Sequence, residues 1–123
     1  LTHVNLQFWN DAKQNFETVV KFNQDDATSW FYLASCYEKL GDFISAKNAY
    51  ITVVNLRPEY KDAYQSLCIT LLKIGEIENT VKYAEIATKL DETDDVFYFI
   101  IGTAYMKNKE FVKKAEIELA KVL

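Results

Sequence analysis

Four residue types are scarce in this 123-residue chain, which has one proline, three glycines, two cysteines and one histidine. Proline and glycine build tight turns and linkers, so their scarcity leaves little room for β-hairpins or long loops. Half of the residues are hydrophobic and 15% are aromatic, which argues against intrinsic disorder. These proportions predict an all-α protein.

The residues that most enzymes need are missing or badly placed. The only histidine, His3, lies near the N-terminus, and a histidine-dependent triad would have to use it. The glycines at 41, 75 and 102 form no G-x-G-x-x-G phosphate loop. No cluster of histidine and cysteine offers metal ligands. The sequence therefore predicts no enzymatic activity, no cofactor and no metal site.

Positive charge is also sparse. The formal net charge is −4, Arg57 is the only arginine, and the lysines form no cluster. Because phosphate binding depends on such clusters, nucleic acid and acidic membrane surfaces are poor candidates as partners. The longest apolar run, 96–101, is too short to cross a bilayer, so we expect no membrane insertion.

A 34-residue period runs through the chain. The turn at 40–43 (LGDF) recurs at 74–77 (IGEI) and, without its glycine, at 108–111 (NKEF). A period of this length is typical of stacked helical units that share one continuous core. We expect seven helices, at 8–22, 27–40, 43–56, 61–74, 77–90, 95–107 and 110–122.

The first helix of each repeat carries a packing face with the helical spacing i, i+3, i+4, i+7. Its members are Trp30, Leu33, Ala34 and Tyr37, then Tyr64, Leu67, Cys68 and Leu71, then Tyr98, Ile101, Gly102 and Tyr105. Phe111, Ala115, Leu119 and Val122 are the apolar positions of the expected last helix. Gly41 and Gly75 are predicted C-terminal caps, and the acid pairs 25–26 and 94–95 are predicted N-terminal caps.

Cys36 and Cys68 lie on equivalent helices of neighbouring repeats. Axes of packed helices are about 8–10 Å apart, which exceeds the Cα separation of about 4.4–6.8 Å in a disulfide. We therefore expect free, buried thiols. Free thiols and the lack of a visible signal peptide favour the cytoplasm, although the compartment is not determined. The start at Leu1, without an initiator methionine, indicates a piece of a longer chain.

Residues 27–60 carry a recognisable motif. They read Trp30-x-x-Leu33-Ala34-x-x-Tyr37, then Ala46-x-x-x-Tyr50, then Pro58. This resembles the tetratricopeptide pattern W-x-x-L-G-x-x-Y, A-x-x-x-F and P over 34 residues. Residues 61–94 fit less well, because Thr80 and Glu92 stand where alanine and proline are usual.

The resemblance implies an all-α fold, a right-handed superhelical solenoid of antiparallel helix pairs. It also implies one domain, in which a half repeat (1–26) precedes three repeats (27–60, 61–94 and 95–123). In such arrays the first helices line a concave groove that holds an extended peptide or a helix. Side chains off the packing face form the predicted partner-binding surface: Thr28, Phe31, Tyr32, Ser35, Gln65, Ser66, Ile69, Leu72, Phe99, Ile100, Thr103 and Met106.

This predicted surface is rich in large apolar side chains, which favours an apolar or amphipathic protein segment as the partner. Helices outside this sequence, or a second copy of the chain, are the alternatives that would cover it. Some tetratricopeptide domains clamp the terminal carboxylates of heat-shock chaperones with basic residues and asparagine. Those groups would belong at sites that here hold Phe31, Ser35, Ser66, Val96 and Ile100, so we expect no carboxylate clamp.

Two functions follow from these patterns. The first is a protein-interaction scaffold or adaptor that binds a partner protein or peptide in the groove. The alternative is a self-associating assembly protein, a homo-oligomer joined through the groove or through the exposed ends of the array.

Overall fold

The computed structural model describes residues 3–122, apart from the side chains of residues 111, 115, 118 and 122. Over this range it contains six helices and no strand. They are α1 (His3–Phe22), α2 (Ala27–Lys39), α3 (Phe43–Leu56), α4 (Lys61–Ile74), α5 (Ile77–Leu90) and α6 (Asp95–Val122). Each helix packs against the next, and α6 also contacts α4. The fold is an all-α solenoid of helical hairpins.

The core lies between the helices of successive hairpins. Tyr50 and Val53 of α3, and Leu67 and Leu71 of α4, are at most 1% exposed. Cys36 and Cys68 are buried free thiols, as the spacing of their helices predicts. Among residues 3–122, no helix combines the length and the apolar character needed to span a bilayer.

Two glycine turns set the first two hairpins. Gly41 (φ +81°) and Gly75 (φ +93°) have left-handed backbones. At each turn the next N–H reaches back to a carbonyl of the finished helix: that of Asp42 donates to Tyr37 at 2.9 Å, and that of Glu76 donates to Leu71 at 2.9 Å. These bonds satisfy carbonyls that a helix end leaves without a partner, which confirms both glycines as caps.

Aspartates begin the following helices. The Asp26 carboxylate accepts the N–H of Ser29 at 3.1 Å, and the Asp42 carboxylate accepts the N–H of Ser45 at 3.1 Å. The Asp94 carboxylate accepts the N–H of Val96 at 3.0 Å. The predicted capping role is therefore confirmed for Asp26 and Asp94.

The third turn does not form, so the prediction of separate helices at 95–107 and 110–122 is wrong. Instead α6 runs without interruption through 108–111. Lys109 stands 34 residues after Gly75, and a side chain in the left-handed region costs about 1–2 kcal/mol. Continuing the helix avoids that cost. The first helix also differs from its predicted bounds, because α1 begins at His3 and not at residue 8.

The packing face predicted for the third repeat is also wrong. Tyr98 and Tyr105 are 53% and 56% exposed, whereas Phe97 and Ala104 are 1% and 0% exposed. The reason is that no second helix folds back onto α6 within residues 3–122. Only the side of α6 that contacts α5 and α4 is covered.

Candidate partner-binding groove

The first helices of the repeats, α2, α4 and α6, lie along one side of the solenoid. Lys73 near the end of α4 reaches Glu38 near the end of α2, with 3.9 Å between Nζ and Oε1. On its other flank α4 packs directly against α6. These three helices form the surface that we term the groove.

A polar network and an aromatic cluster fix the α2 end of the groove. The Tyr50 hydroxyl donates to Oε2 of Glu38 at 3.1 Å and lies 3.3 Å from Oγ of Ser35. Burial raises the pKa of Tyr50 to about 12, so this hydroxyl stays protonated near neutral pH. The Phe31 ring packs edge-on against Tyr50 at 5.7 Å and against Tyr60 at 5.4 Å between centroids. This end is therefore preorganised.

The structure brings most of the predicted partner-binding residues to the surface, to different degrees. The exposed members are Thr28, Tyr32, Gln65, Ile69, Phe99 and Met106. The half-buried members are Phe31, Ser35, Ser66, Leu72 and Thr103. Ile100 lies in the core at 5% exposure, because its side of α6 packs against the neighbouring helices. Ile100 is therefore unavailable to a partner in this structure.

The apolar exposure is greatest on α6. Phe99 is 76% exposed and Met106 is 61% exposed, two helical turns apart on the same face. Ile69 of α4 is 37% exposed and Tyr32 of α2 is 50% exposed. The Tyr32 ring stacks on Phe16 of α1 at 5.6 Å, so its position is fixed by the preceding helix.

A cleft of about 620 Å³ opens between the α4–α5 turn and α6. Leu72 and Ile77 supply its apolar part, and charged residues of both signs, Glu76, Glu78, Lys107, Glu110 and Lys114, supply the rest. Of these residues, only Leu72 belongs to the predicted partner-binding surface. The missing glycine at position 109 is the signal that leads to it, since the cleft depends on the straight course of α6.

Glu76 is held in place at the edge of this cleft. Its carboxylate accepts hydrogen bonds from Lys47 at 2.8 Å and from Asn79 at 2.7 Å. Those bonds, with Lys47 the stronger contributor, hold the pKa of Glu76 below its ordinary value. Because Glu76 already has a cation beside it, the cleft gains little net negative charge from this residue.

His, Cys, Asp and Glu side chains are the candidate metal ligands in the part of the chain that the structure covers. No group of three or more His, Cys, Asp or Glu side chains among these residues could hold a metal ion. Burial raises the pKa of the Cys68 thiol to about 12, which keeps it from ionising to a nucleophilic thiolate.

Comparisons with known proteins agree with the sequence motif and with the fold. A family model for the tetratricopeptide repeat matches residues 27–60. Residues 27–60 are thereby identified as a tetratricopeptide repeat, and the chain is similar to tetratricopeptide-repeat proteins. No curated protein sequence matches it.

Several solved structures share the fold. A structure of MamA is 23% identical, covers 97% of this chain and 67% of its own, and gives a TM-score of 0.77. The Sgt2 domain from Aspergillus fumigatus is 13% identical, covers 87% of this chain and 72% of its own, and gives 0.74. The Yersinia enterocolitica secretion chaperone SycD, in complex with a peptide of the translocator YopD, is 15% identical, covers 83% of each chain and gives 0.74.

Proposed function

We propose that the chain is a protein-interaction scaffold that binds an apolar or amphipathic segment of a partner protein in the groove. The observation that carries this proposal is the exposure of Phe99 and Met106 on α6, at 76% and 61%. Large apolar side chains grouped on a concave face are typical of binding surfaces. Ile69 of α4 and Tyr32 of α2 add exposed apolar side chains on the other two groove helices.

The energetics support a partner of moderate size. Covering each large apolar side chain stabilises a complex by about 1.5–3 kcal/mol. Four such side chains would therefore contribute about 6–12 kcal/mol, which is comparable to an association cost of roughly 4–15 kcal/mol, so polar contacts would add to the affinity. The exposed amide of Gln65 and the half-buried hydroxyls of Ser66 and Thr103 belong to the predicted partner-binding surface and can make such contacts.

The chemistry of the groove favours an apolar segment over an acidic tail. The structure of SycD with a YopD peptide, and that of the Sti1 domain with an Hsp70 peptide, show that this fold can hold peptides. In this chain the sites of a carboxylate clamp hold only apolar side chains and serines (Phe31, Ser35, Ser66, Val96 and Ile100). We infer that carboxylate-terminated chaperone peptides are not its partners. We also infer a binding role without catalytic chemistry.

A paired substitution on α6 tests the proposal. Peptides selected by phage display against the wild-type chain should bind a Phe99→Asp/Met106→Asp variant roughly 100-fold more weakly, because two apolar contacts are lost and charges replace them. Fluorescence anisotropy of a labelled peptide measures the change. Both side chains are largely exposed, so far-UV circular dichroism should show unchanged helicity.

The matched control is Ile44→Asp/Ile86→Asp. These side chains are 53% and 38% exposed on α3 and α5, the second helices of their hairpins, and should not touch the peptide. If the selected peptides bind the α6 variant as tightly as the wild type, the groove is not the binding surface.

A further inference from the structure

One face of α6 repeats its apolar residues every seven positions. Tyr98, Ile101, Tyr105, Val112 and Leu119 occur at steps of three, four and seven, and Asn108 continues the same spacing. Four of these apolar residues are exposed: Tyr98 by 53%, Tyr105 by 56%, Val112 by 46% and Leu119 by 63%. We term this face the α6 seam. A 3.5-residue apolar period is typical of a helix that pairs with another helix.

In the second repeat the equivalent face is covered. Tyr64, Leu67 and Leu71 precede Tyr98, Ile101 and Tyr105 by 34 residues, and they are 4%, 0% and 0% exposed. In that repeat α4 packs against its own second helix, α5. Ile101 is half-buried against the core of its own chain, whereas Tyr98, Tyr105, Val112 and Leu119 have no helix of residues 3–122 packed over them.

The covering helix does not come from residues 109–122 of the same molecule, because these residues continue α6 in a straight line. Folding them back would require a left-handed turn where Lys109 replaces the glycine of the earlier repeats, a conformation that disfavours a β-carbon. Those residues instead extend the seam, with Val112 and Leu119 on it.

The two halves of the seam complement each other. When two α6 helices run antiparallel about residue 110, Ile101 lies opposite Leu119 of the second copy, and Asn108 lies opposite Val112 of the second copy. Each of these pairs occurs twice, as the two-fold symmetry of a closed dimer requires. Apolar residues before position 110 in one copy then contact apolar residues after position 110 in the other. The pair formed by Asn108 and Val112 occurs once on each side of position 110.

We propose that the occupant of the α6 seam is a second copy of this chain, in an antiparallel dimer of α6 helices. Residues 109–122 of each copy take the place that α3 and α5 take in the earlier hairpins. The dimer thereby closes the open end of each solenoid, which would otherwise leave an apolar face in water. Phe99 lies on a different side of α6, so the proposed partner groove is a separate surface.

A charge exchange across the seam tests both the dimer and its direction. Sedimentation equilibrium from micromolar to submillimolar concentration should give the wild type twice the chain mass of 14.3 kDa. Ile101→Lys or Leu119→Glu alone should weaken dimerisation roughly 100-fold, because each places a charge opposite an apolar residue. The double variant Ile101→Lys/Leu119→Glu should regain the dimer, since lysine then faces glutamate of the second copy.

Parallel helices would put like charges opposite each other in the double variant and would keep it monomeric. Ile117→Lys is the matched control: Ile117 is 50% exposed on α6 and belongs neither to the seam nor to the predicted partner-binding surface, so this variant should stay dimeric. Far-UV circular dichroism of every variant shows whether the fold persists. A monomeric wild type at every concentration, folded single variants that still dimerise, or a folded double variant that stays monomeric would overturn the proposal.

Discussion

At the scale of single residues, the amino acid at three equivalent positions, 41, 75 and 109, decides whether a helix ends. Gly41 and Gly75 adopt positive φ and close two hairpins, while Lys109 at the corresponding place lets α6 continue. Glycine reaches the left-handed region without steric cost, and lysine does not. One missing glycine therefore changes the course of the last 14 described residues.

A substitution at Gly75 isolates this backbone effect. A β-carbon there would meet no atom within 4 Å, but φ is +93°, so Gly75→Ala should lower the free energy of unfolding by about 1 kcal/mol. Urea denaturation followed by circular dichroism measures it. Gly102→Ala is the control: it also has open space, lies inside α6 without positive φ, and should raise stability by up to about 1 kcal/mol. Equal effects at both glycines would contradict the argument.

Tyr50 gives the stability of the chain a dependence on alkaline pH. Burial raises its pKa from the ordinary tyrosine value of about 10 to about 12, so the folded state holds the phenol proton more tightly than the unfolded state does. This contribution to stability is complete below about pH 10 and is lost as the pH rises towards about 12. The slope is at most about 1.4 kcal/mol per pH unit for one group.

Tyr50→Phe separates this effect from others. At neutral pH the variant should be less stable by about 1 kcal/mol, because the bonds to Glu38 and Ser35 are lost. As the pH rises from about 10 to 12, the difference should shrink, since only the wild type loses stability through this phenol. The raised pKa of Cys68 affects both proteins alike. A constant difference across this range, measured by urea denaturation, would contradict the assignment.

At the scale of helices, burial is uneven along the array. The central helices α3 and α4 supply most of the fully buried side chains, such as Val53, Leu67 and Leu71 at 0% exposure. In α1 only Val20 is buried, and its early residues Val4 and Phe8 are 75% and 61% exposed. In a solenoid each element is stabilised mainly by its neighbours, so terminal helices are weaker.

Native-state hydrogen exchange should reproduce this order. Amides of α3 and α4 should exchange slowest, and those of residues 3–10 should exchange roughly 100-fold or more faster, because few buried contacts oppose local opening there. Mass spectrometry of peptic fragments measures both regions in one sample. Residues 109–121 should become more protected as concentration rises if the α6 seam pairs. Uniform protection along the chain would contradict the neighbour-based argument.

At the scale of the whole molecule, two apolar surfaces are available and they lie on different sides of α6. The groove presents Phe99 and Met106, and the α6 seam presents Tyr98, Tyr105 and Leu119. A scaffold of this kind would bind a partner with one surface and a second copy with the other. The two proposals stand or fall separately, because their tests change different residues.

The sequence alone determined the repeat, the helical class and the bounds of α3, α4 and α5, because a 34-residue period and glycine turns are local patterns. It also identified Cys36 and Cys68 as free thiols, since helix separation exceeds disulfide reach. What the tertiary structure decided is which faces stay covered. Ile100 is buried and Tyr98 is exposed because burial depends on whether a neighbouring helix folds back onto α6. The periodicity of apolar residues along one helix does not reveal whether such a helix is present.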